Sequence, residues 1–203
     1  AVPLLLPHHR ADLRGSGLSD AQVAACGFYS ESDPAAVARL LNRTDQAVVA
    51  LGPCLCLPFV AAVGRAPEYV RCKPDRPRAG DTGKPVKYES PVGVPNRAYV
   101  PPATRAALAD PAVPLLLTEG EKKAAKADQD GFPCVGLVGV YGWQKKRADA
   151  AGPRELIPDL AAVAWAGRRV YLAYDSDLAD KPPVRAAEWH LAETLAAVGA
   201  EVR

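Results

Sequence analysis

Residues 114–128 read PLLLTEGEKKAAKAD, a short apolar run followed by a charged one. The apolar part is typical of a strand buried in a parallel sheet. The charged part predicts a helix that begins at Glu121 and ends near Asp128. Glu119 and Gly120 lie at the junction, so we expect them where a strand ends and a helix begins.

The same alternation continues along the carboxy-terminal half. Residues 133–138 and 169–174 each predict a further strand, and residues 201–203 predict the start of a fourth. Helices are expected over residues 158–165 and 183–198. Strands that alternate with helices indicate an α/β fold, with a doubly wound parallel sheet flanked by helices.

The amino-terminal half is organised differently. Residues 1–45 predict a helical lead-in region, with helices over 21–26 and 35–41. Residues 46–105 predict a small strand-rich, basic subdomain, because short strand-like runs alternate with turns rich in Gly, Pro and Asp. This small mixed α+β part would precede the α/β domain, residues 106–203, which we expect to be cut short at its C-terminus. The strand-like runs are residues 55–60, 68–73 and 86–88.

Composition narrows the function classes. The chain has 203 residues, 49% of them hydrophobic, and a net charge of +2, which does not favour a uniformly basic binding protein. Its five cysteines are odd in number and form no CxxC pair, so we expect neither a disulfide framework nor a bound zinc ion. These features indicate a reducing, cytoplasmic setting. The apolar run at residues 2–7 is too short and too rich in proline to span a membrane.

Acidic residues follow two of the predicted strands. Ligand sites of open α/β sheets form outside the carboxyl ends of the strands, where the strand order reverses. Glu119 follows one strand, Asp175 and Asp177 follow another, and Asp180 lies one short loop further on. If the two strands are neighbours, these carboxylates converge and repel one another. A cation removes the repulsion, and ligands that are all oxygen favour Mg²⁺ or Mn²⁺.

A phosphate is the natural partner of such a site. Mg²⁺ held by a few carboxylates keeps water ligands and accepts phosphate oxygens, which indicates phosphoryl-transfer chemistry. The helix that starts after Gly120 offers N–H groups, and Lys122 and Lys123 offer charge. Two simpler interpretations stay open: Asp175 could cap a turn, and the two lysines could form a solvated helix face.

Several short motifs occur in a fixed order along the chain. The carboxy-terminal half contains LLTEGEKKA at 116–124, VGVYGW at 138–143 and VYLAYDSD at 170–177. The preceding part contains LPF at 57–59, YVR at 69–71, KYESP at 87–91 and AYV at 98–100. The first set resembles a Toprim domain of the primase-like (DnaG-type) variety found in plasmid and phage replication proteins. The second set is similar, in its order, to the motifs that precede the Toprim fold in bacterial primases.

This resemblance implies a role for each matching residue. Glu119 would be a metal ligand or a general acid/base, Asp175 and Asp177 the metal-binding pair, and Asp180 a further acidic ligand. Basic residues are implied to bind the nucleic acid or the nucleotide. They are Arg71, Lys73, Lys84 and Lys87 upstream, Lys122 and Lys123 after the glutamate, and Arg185 in the last helix.

The resemblance also implies an activity. A primase-like nucleotidyltransferase would use Mg²⁺ or Mn²⁺, single-stranded DNA and nucleoside triphosphates, and would work with a helicase or another replication domain rather than with a membrane. The zinc-binding module of primases has no match in this sequence. Two alternatives stay open: a Toprim nuclease that cleaves DNA, and a non-catalytic module that binds or docks nucleic acid.

Overall fold

The structure is a computed structural model that describes residues 4–60, 69–146, 152–174 and 181–203. These residues form two compact units. Unit 1 comprises 4–60 and 69–94, and unit 2 comprises the described residues from 95 to 203. The three-part division at residues 46 and 106 stays a prediction. Within the described ranges, no helix has the length and apolar character needed to cross a membrane.

Unit 1 contains the helices α1 (Pro7–Gly15), α2 (Asp20–Cys26), α3 (Pro34–Leu41) and α4 (Asp45–Val49). Local signals set the ends of two of them. The Ser19 side chain accepts the N–H of Gln22 at the start of α2, and Gly27 ends that helix with φ +68°. Asp33 accepts two N–H groups at the start of α3. The predicted helices over 21–26 and 35–41 are therefore confirmed.

The sheet of unit 1 has the strands β1 (Tyr29–Glu31), β2 (Cys54–Phe59) and β3 (Tyr69–Pro74). They pair antiparallel in the order β1-β2-β3. β1 was not predicted, because its three residues are too few to show a pattern. The strand predicted at 86–88 is wrong. The residues on either side of this segment form isolated bridges, Ala79 to Pro85 and Cys72 to Glu89, rather than a ladder. Pro85 has no N–H to donate, which interrupts a ladder there.

Cysteines help to fill the core of unit 1. Cys54, Cys56 and Cys72 are fully buried and pack with α3 and the neighbouring leucines and valines. The Sγ atoms of Cys56 and Cys72 lie 3.8 Å apart on paired positions of β2 and β3. All five cysteines are free thiols and buried, so they act as small apolar residues.

Unit 2 is built on the strands β4 (Leu115–Glu119), β5 (Cys134–Leu137), β6 (Arg169–Ala173) and β7 (Glu201–Val202). All pair in parallel, in the order β5-β4-β6-β7. The helices are α5 (Thr104–Ala107), α6 (Glu121–Gln129), α7 (Pro158–Ala161) and α8 (Pro182–Ala197). The predicted α/β fold, with a parallel sheet, flanking helices and a small antiparallel sheet before it, is confirmed. The helix predicted over 158–165 ends early, at Ala161.

The strand order of unit 2 reverses between β4 and β6. From β4 the chain runs outward to β5, then crosses back to β6 on the other side of β4 and continues outward to β7. This reversal is the switch point at which open α/β sheets form their ligand sites. Apolar side chains of the strands pack against the buried rings of Trp143 and Trp165, which leaves the carboxyl ends of β4 and β6 at the edge of the core.

Candidate metal and nucleotide site

Glu119 is the last residue of β4, half-buried at the carboxyl end of the strand. Gly120 follows with φ +93°, a conformation that side chains disfavour, and its N–H donates to the carbonyl of Leu137 at 3.0 Å. Gly136 faces this turn from β5. A Cβ added at Gly136 would lie 2.8 Å from the carbonyl oxygen of Gly120 and 3.2 Å from Cβ of Ala124. The turn that presents Glu119 therefore needs glycine at both positions.

The carboxyl ends of β4 and β6 lie side by side and are joined by a side-chain hydrogen bond. Thr118 pairs with Ala173 in the parallel register, and the Thr118 hydroxyl donates to the Ala173 carbonyl at 2.7 Å. Tyr174 follows β6 and is the last described residue before residue 181. Asp175, Asp177 and Asp180 lie outside the described residues. β4 and β6 are neighbours, so the condition for convergence is met. The convergence of Glu119, Asp175 and Asp177, which Asp180 could join, stays a prediction.

Two carboxylates, those of Glu119 and Glu188, act electrostatically on the phenol of Tyr174. Burial raises the pKa of Tyr174, and the negative charges of Glu119 and Glu188 raise it further. The phenol stays neutral and donates to the carbonyl of Val140 at 3.3 Å. Glu188, half-buried on α8, was not among the predicted residues. No local signal marks it, because its place beside Tyr174 depends on how α8 packs on the sheet.

The basic residues predicted in unit 2 lie at the starts of two helices. Lys122 is half-buried and Lys123 exposed in the first turn of α6, while Glu121 beside them is only 2% exposed. Arg185 is exposed in the first turn of α8. α6 therefore begins two residues after Glu119, with its positive amino end at the carboxyl end of β4.

The basic residues predicted in unit 1 differ in their surroundings. The Arg71 guanidinium lies over the ring of Tyr88, 5.0 Å from its centroid. Lys73 forms an ion pair with Asp12 at 2.8 Å. Lys84 and Lys87 are exposed. Lys84 and Lys87 thus present their cations at the surface, Arg71 is half-buried, and Lys73 is engaged with Asp12.

Unit 2 also contains a cavity that sequence reasoning missed. Its volume is about 690 Å³, and it opens beside the loop after β5. Lys145 on its wall pairs with Glu155 at 2.7 Å, whereas Lys146 is exposed. From the sequence alone, the run Lys145-Lys146-Arg147 indicates a solvated basic loop, and Arg147 lies outside the described residues. The available signal for a cavity was the pair of aromatic residues, Tyr141 and Trp143, that precedes the two lysines. The lining comprises Pro95, Asn96, Tyr141, Gln144, Lys145, Lys146, Ile157 and Pro158.

Comparisons with known proteins found a family model, a relative in sequence and a solved structure. The model of a domain of unknown function, DUF3854, matches residues 105–203. An uncharacterized protein from Picosynechococcus sp. is 30% identical over 134 residues, which cover 52% of this chain and 13% of that protein. The crystal structure of the Aquifex aeolicus primase, comprising its zinc binding and RNA polymerase domains, is similar at a TM-score of 0.61 and 13% identity.

The primase comparison covers 97% of this chain and 49% of the primase chain. The chain therefore has a primase-like fold and spans about half the length of that solved structure, and 13% of the curated relative that it matches. Because the identity to the primase is low, the likeness describes the fold alone.

Proposed function

We propose that this chain is a Toprim-type, primase-like domain that transfers nucleotides on single-stranded DNA during plasmid or phage replication. The observation that carries the proposal is the switch point between β4 and β6. Glu119 ends one of these strands, and the sequence Asp175-Ser176-Asp177 follows the other after Tyr174. A primase-like fold over nearly the whole chain supports this assignment.

The residues around the switch point fit a hard divalent cation. Glu119 supplies a carboxylate, and the combined charge of Glu119 and Glu188 already acts on Tyr174. Asp175 and Asp177, with Asp180, would complete a ligand set made of oxygen, which suits Mg²⁺ or Mn²⁺. When bound, such an ion supplies charge neutralisation at phosphate oxygens and activation of a hydroxyl group.

The protein's own groups would position the reactants. Glu119, half-buried at the strand end, would either bind the ion or accept the proton of a primer 3′-hydroxyl. The first-turn N–H groups of α6, with Lys122 and Lys123, would bind the triphosphate of the incoming nucleotide. Arg185 would add a further cation from the first turn of α8.

The cavity beside the loop after β5 would receive the nucleoside part. Its wall combines apolar surfaces from Ile157 and Pro158 with the polar ends of Asn96, Tyr141 and Lys146. Pockets for small organic ligands have this composition, mostly apolar with a few polar groups that fix orientation. The volume of about 690 Å³ lies within the range of about 300–1,000 Å³ that is usual for such pockets.

Template binding is assigned to unit 1. Arg71, Lys84 and Lys87 would contact phosphates of single-stranded DNA, and Lys73 would join them if its pair with Asp12 opens. The cation of Arg71 lies over the half-buried ring of Tyr88, and a cation beside an aromatic ring is a combination that single-stranded nucleic acid can use for phosphate contact and base stacking. Binding through phosphates predicts affinity that falls steeply with salt.

Primer synthesis tests the proposal. The whole chain is incubated with single-stranded DNA, labelled nucleoside triphosphates and Mg²⁺ or Mn²⁺, and short labelled products are expected. Glu119→Gln and Asp175→Asn should each lower the product by about a hundredfold or more. Asp130→Asn is the matched control, since this exposed carboxylate lies at the far end of α6 and pairs with Lys126.

Two outcomes would contradict nucleotide transfer, and a third would contradict the site assigned to it. Loss of intact DNA without incorporated label would indicate the Toprim nuclease. DNA binding that persists in both variants, with no product and no Mn²⁺ binding by the wild-type chain in calorimetry, would indicate a docking module. Products that persist in Glu119→Gln and Asp175→Asn would remove the assigned site.

A further inference from the structure

Two adjacent histidines of unit 1 converge on one carboxylate. His8 and His9 lie in the first turn of α1, and Asp75 directly follows β3. His8 Nε2 lies 2.9 Å from both carboxylate oxygens of Asp75, and His9 Nε2 lies 2.9 Å from Oδ1. These ligand-type atoms all lie within 4.8 Å of one another.

Helix geometry does not produce this convergence. Successive residues of an α-helix point about 100° apart, so neighbouring side chains normally face different directions. Here the Nε2 atoms of both imidazoles lie against the same carboxylate, that of Asp75. One histidine would be enough to hold Asp75 against α1, so a purely structural hydrogen bond leaves the second imidazole unexplained.

The second ring nitrogen of His9 has a hydrogen-bond partner, as it does in metal-binding histidines. Its side chain is buried, and Nδ1 lies 2.7 Å from the hydroxyl oxygen of Ser30 on β1. The same oxygen accepts the N–H of Leu6 at 2.8 Å, which fixes its position. Nδ1–H of His9 can donate to this oxygen, which leaves the Nε2 lone pair for a cation. A partner on the second ring nitrogen is the usual support of a metal-bound imidazole.

We propose that His8, His9 and Asp75 bind one divalent transition-metal ion, with Zn²⁺ as the ion that these ligands suit. Two imidazoles and a carboxylate form a common zinc ligand set. The His8 side chain is 55% exposed, so at least one further coordination position opens to water. The nearest lysine in sequence, Lys73, pairs with Asp12 and does not neutralise Asp75.

The ion would fasten three segments of unit 1. Its ligands come from the start of α1 and the end of β3, and Ser30 ties the buried ligand to β1. This site is chemically distinct from the carboxylate site proposed at Glu119, and it does not depend on the proposed function. The sequence expectation of no zinc rested on the cysteines, which take no part here.

Zinc titration of the whole, metal-stripped chain tests the site. Calorimetry is run with excess Mg²⁺ present, so that the carboxylates near Glu119 are already occupied. One equivalent of Zn²⁺ should bind, and Co²⁺ in its place should give visible absorption bands of a low-symmetry site. His8→Ala and Asp75→Asn should each weaken Zn²⁺ binding by at least about tenfold. His8 is the better variant for folding because it is largely exposed.

His190→Ala is the matched control, since His190 is the third histidine of the chain and lies on α8 in unit 2. Its Zn²⁺ affinity should equal that of the wild type. The proposal is overturned if the wild type binds no equivalent of Zn²⁺, or if His8→Ala and Asp75→Asn bind it as tightly as His190→Ala. Either result leaves primer synthesis untouched, so the two proposals fail separately.

Discussion

Replacing Arg168 should destabilise unit 2 more than replacing any exposed arginine. Its side chain is fully buried directly before β6. The guanidinium donates to five backbone carbonyls at distances between 2.7 and 3.1 Å. These carbonyls belong to Ala107, Leu108, Asp110, Val113 and Ala164. One side chain thus joins the segment before β4 to the segment before β6.

The expected decrease in the free energy of unfolding follows from the hydrogen bonds that these carbonyls would lose. Three of the five also accept a backbone N–H, but the carbonyls of Val113 and Ala164 have Arg168 as their partner within the described residues. A fully buried acceptor left without a partner costs about 1–3 kcal/mol, and because these two bonds are only partly buried, we expect about 2–4 kcal/mol for both. Burial lowers the pKa of Arg168, which reflects the cost of desolvating its charge and offsets part of this loss. We expect a net loss of about 3 kcal/mol for Arg168→Met.

Urea unfolding followed by tryptophan fluorescence measures this loss. All three tryptophans, Trp143, Trp165 and Trp189, lie in unit 2, so the signal reports that unit. With a slope of about 2 kcal/mol per molar urea, the midpoint should fall by roughly 1.5 M. Arg169→Met is the control, because Arg169 is the exposed neighbour on β6, and its midpoint should stay close to that of the wild type.

Equal midpoints for Arg168→Met and Arg169→Met would contradict a stabilising role of the Arg168 hydrogen bonds. They would mean that the five carbonyls find other donors or water at no cost. Mn²⁺ affinity of the still-folded Arg168→Met chain should match the wild type. Arg168 precedes β6 at its amino end, whereas Glu119 lies at the carboxyl end of the neighbouring strand.

Two further changes test the surroundings of Glu119. Gly136→Ala should lower the free energy of unfolding by about 1–3 kcal/mol and weaken Mn²⁺ binding, because the added Cβ would lie 2.8 Å from the carbonyl oxygen of Gly120. Wild-type values in urea unfolding and in Mn²⁺ titration would contradict this close approach. Tyr174→Phe should reduce the loss of stability above about pH 10. Burial and the charge of Glu119 raise the pKa of Tyr174 in the folded chain, so the folded state keeps its proton when the unfolded state releases it and stability falls as pH rises. Identical pH profiles in urea unfolding would show that Tyr174 does not titrate abnormally.

Sequence patterns predicted those parts of the fold that depend on short, regular segments. The apolar run of β4 and the helix signals from Glu121 onward gave a strand and a helix within a residue or two of their observed ends. Capping residues such as Ser19 and Asp33 did the same for α2 and α3. The strand order was not readable, because the long connection from β5 to β6 could have led to either side of β4. Only the condition that β4 and β6 be neighbours could be stated in advance.

Features that depend on distant segments escaped prediction. Arg168 gives no local sign of its burial, since its five acceptors come from 4 to 61 positions away. Glu188, on α8, influences the pKa of Tyr174 from 14 positions further along the chain. A pattern of hydrophobicity records which face of a segment is buried, and it holds no information on which segment covers that face.

The two proposed metal sites differ in the same way. One follows from the regular topology of a parallel sheet, and the other depends on contacts between distant segments. The Glu119 site could be inferred because parallel strands always end at a common edge, so an acidic residue after each of two strands already implies a meeting place. The histidine site offers no such rule: His9 and Asp75 are 66 positions apart, on the start of a helix and the end of an antiparallel strand. Their meeting depends on how α1 docks on the unit 1 sheet. A metal site built on regular topology can therefore be proposed from sequence, whereas one built on tertiary docking can be proposed only from the structure.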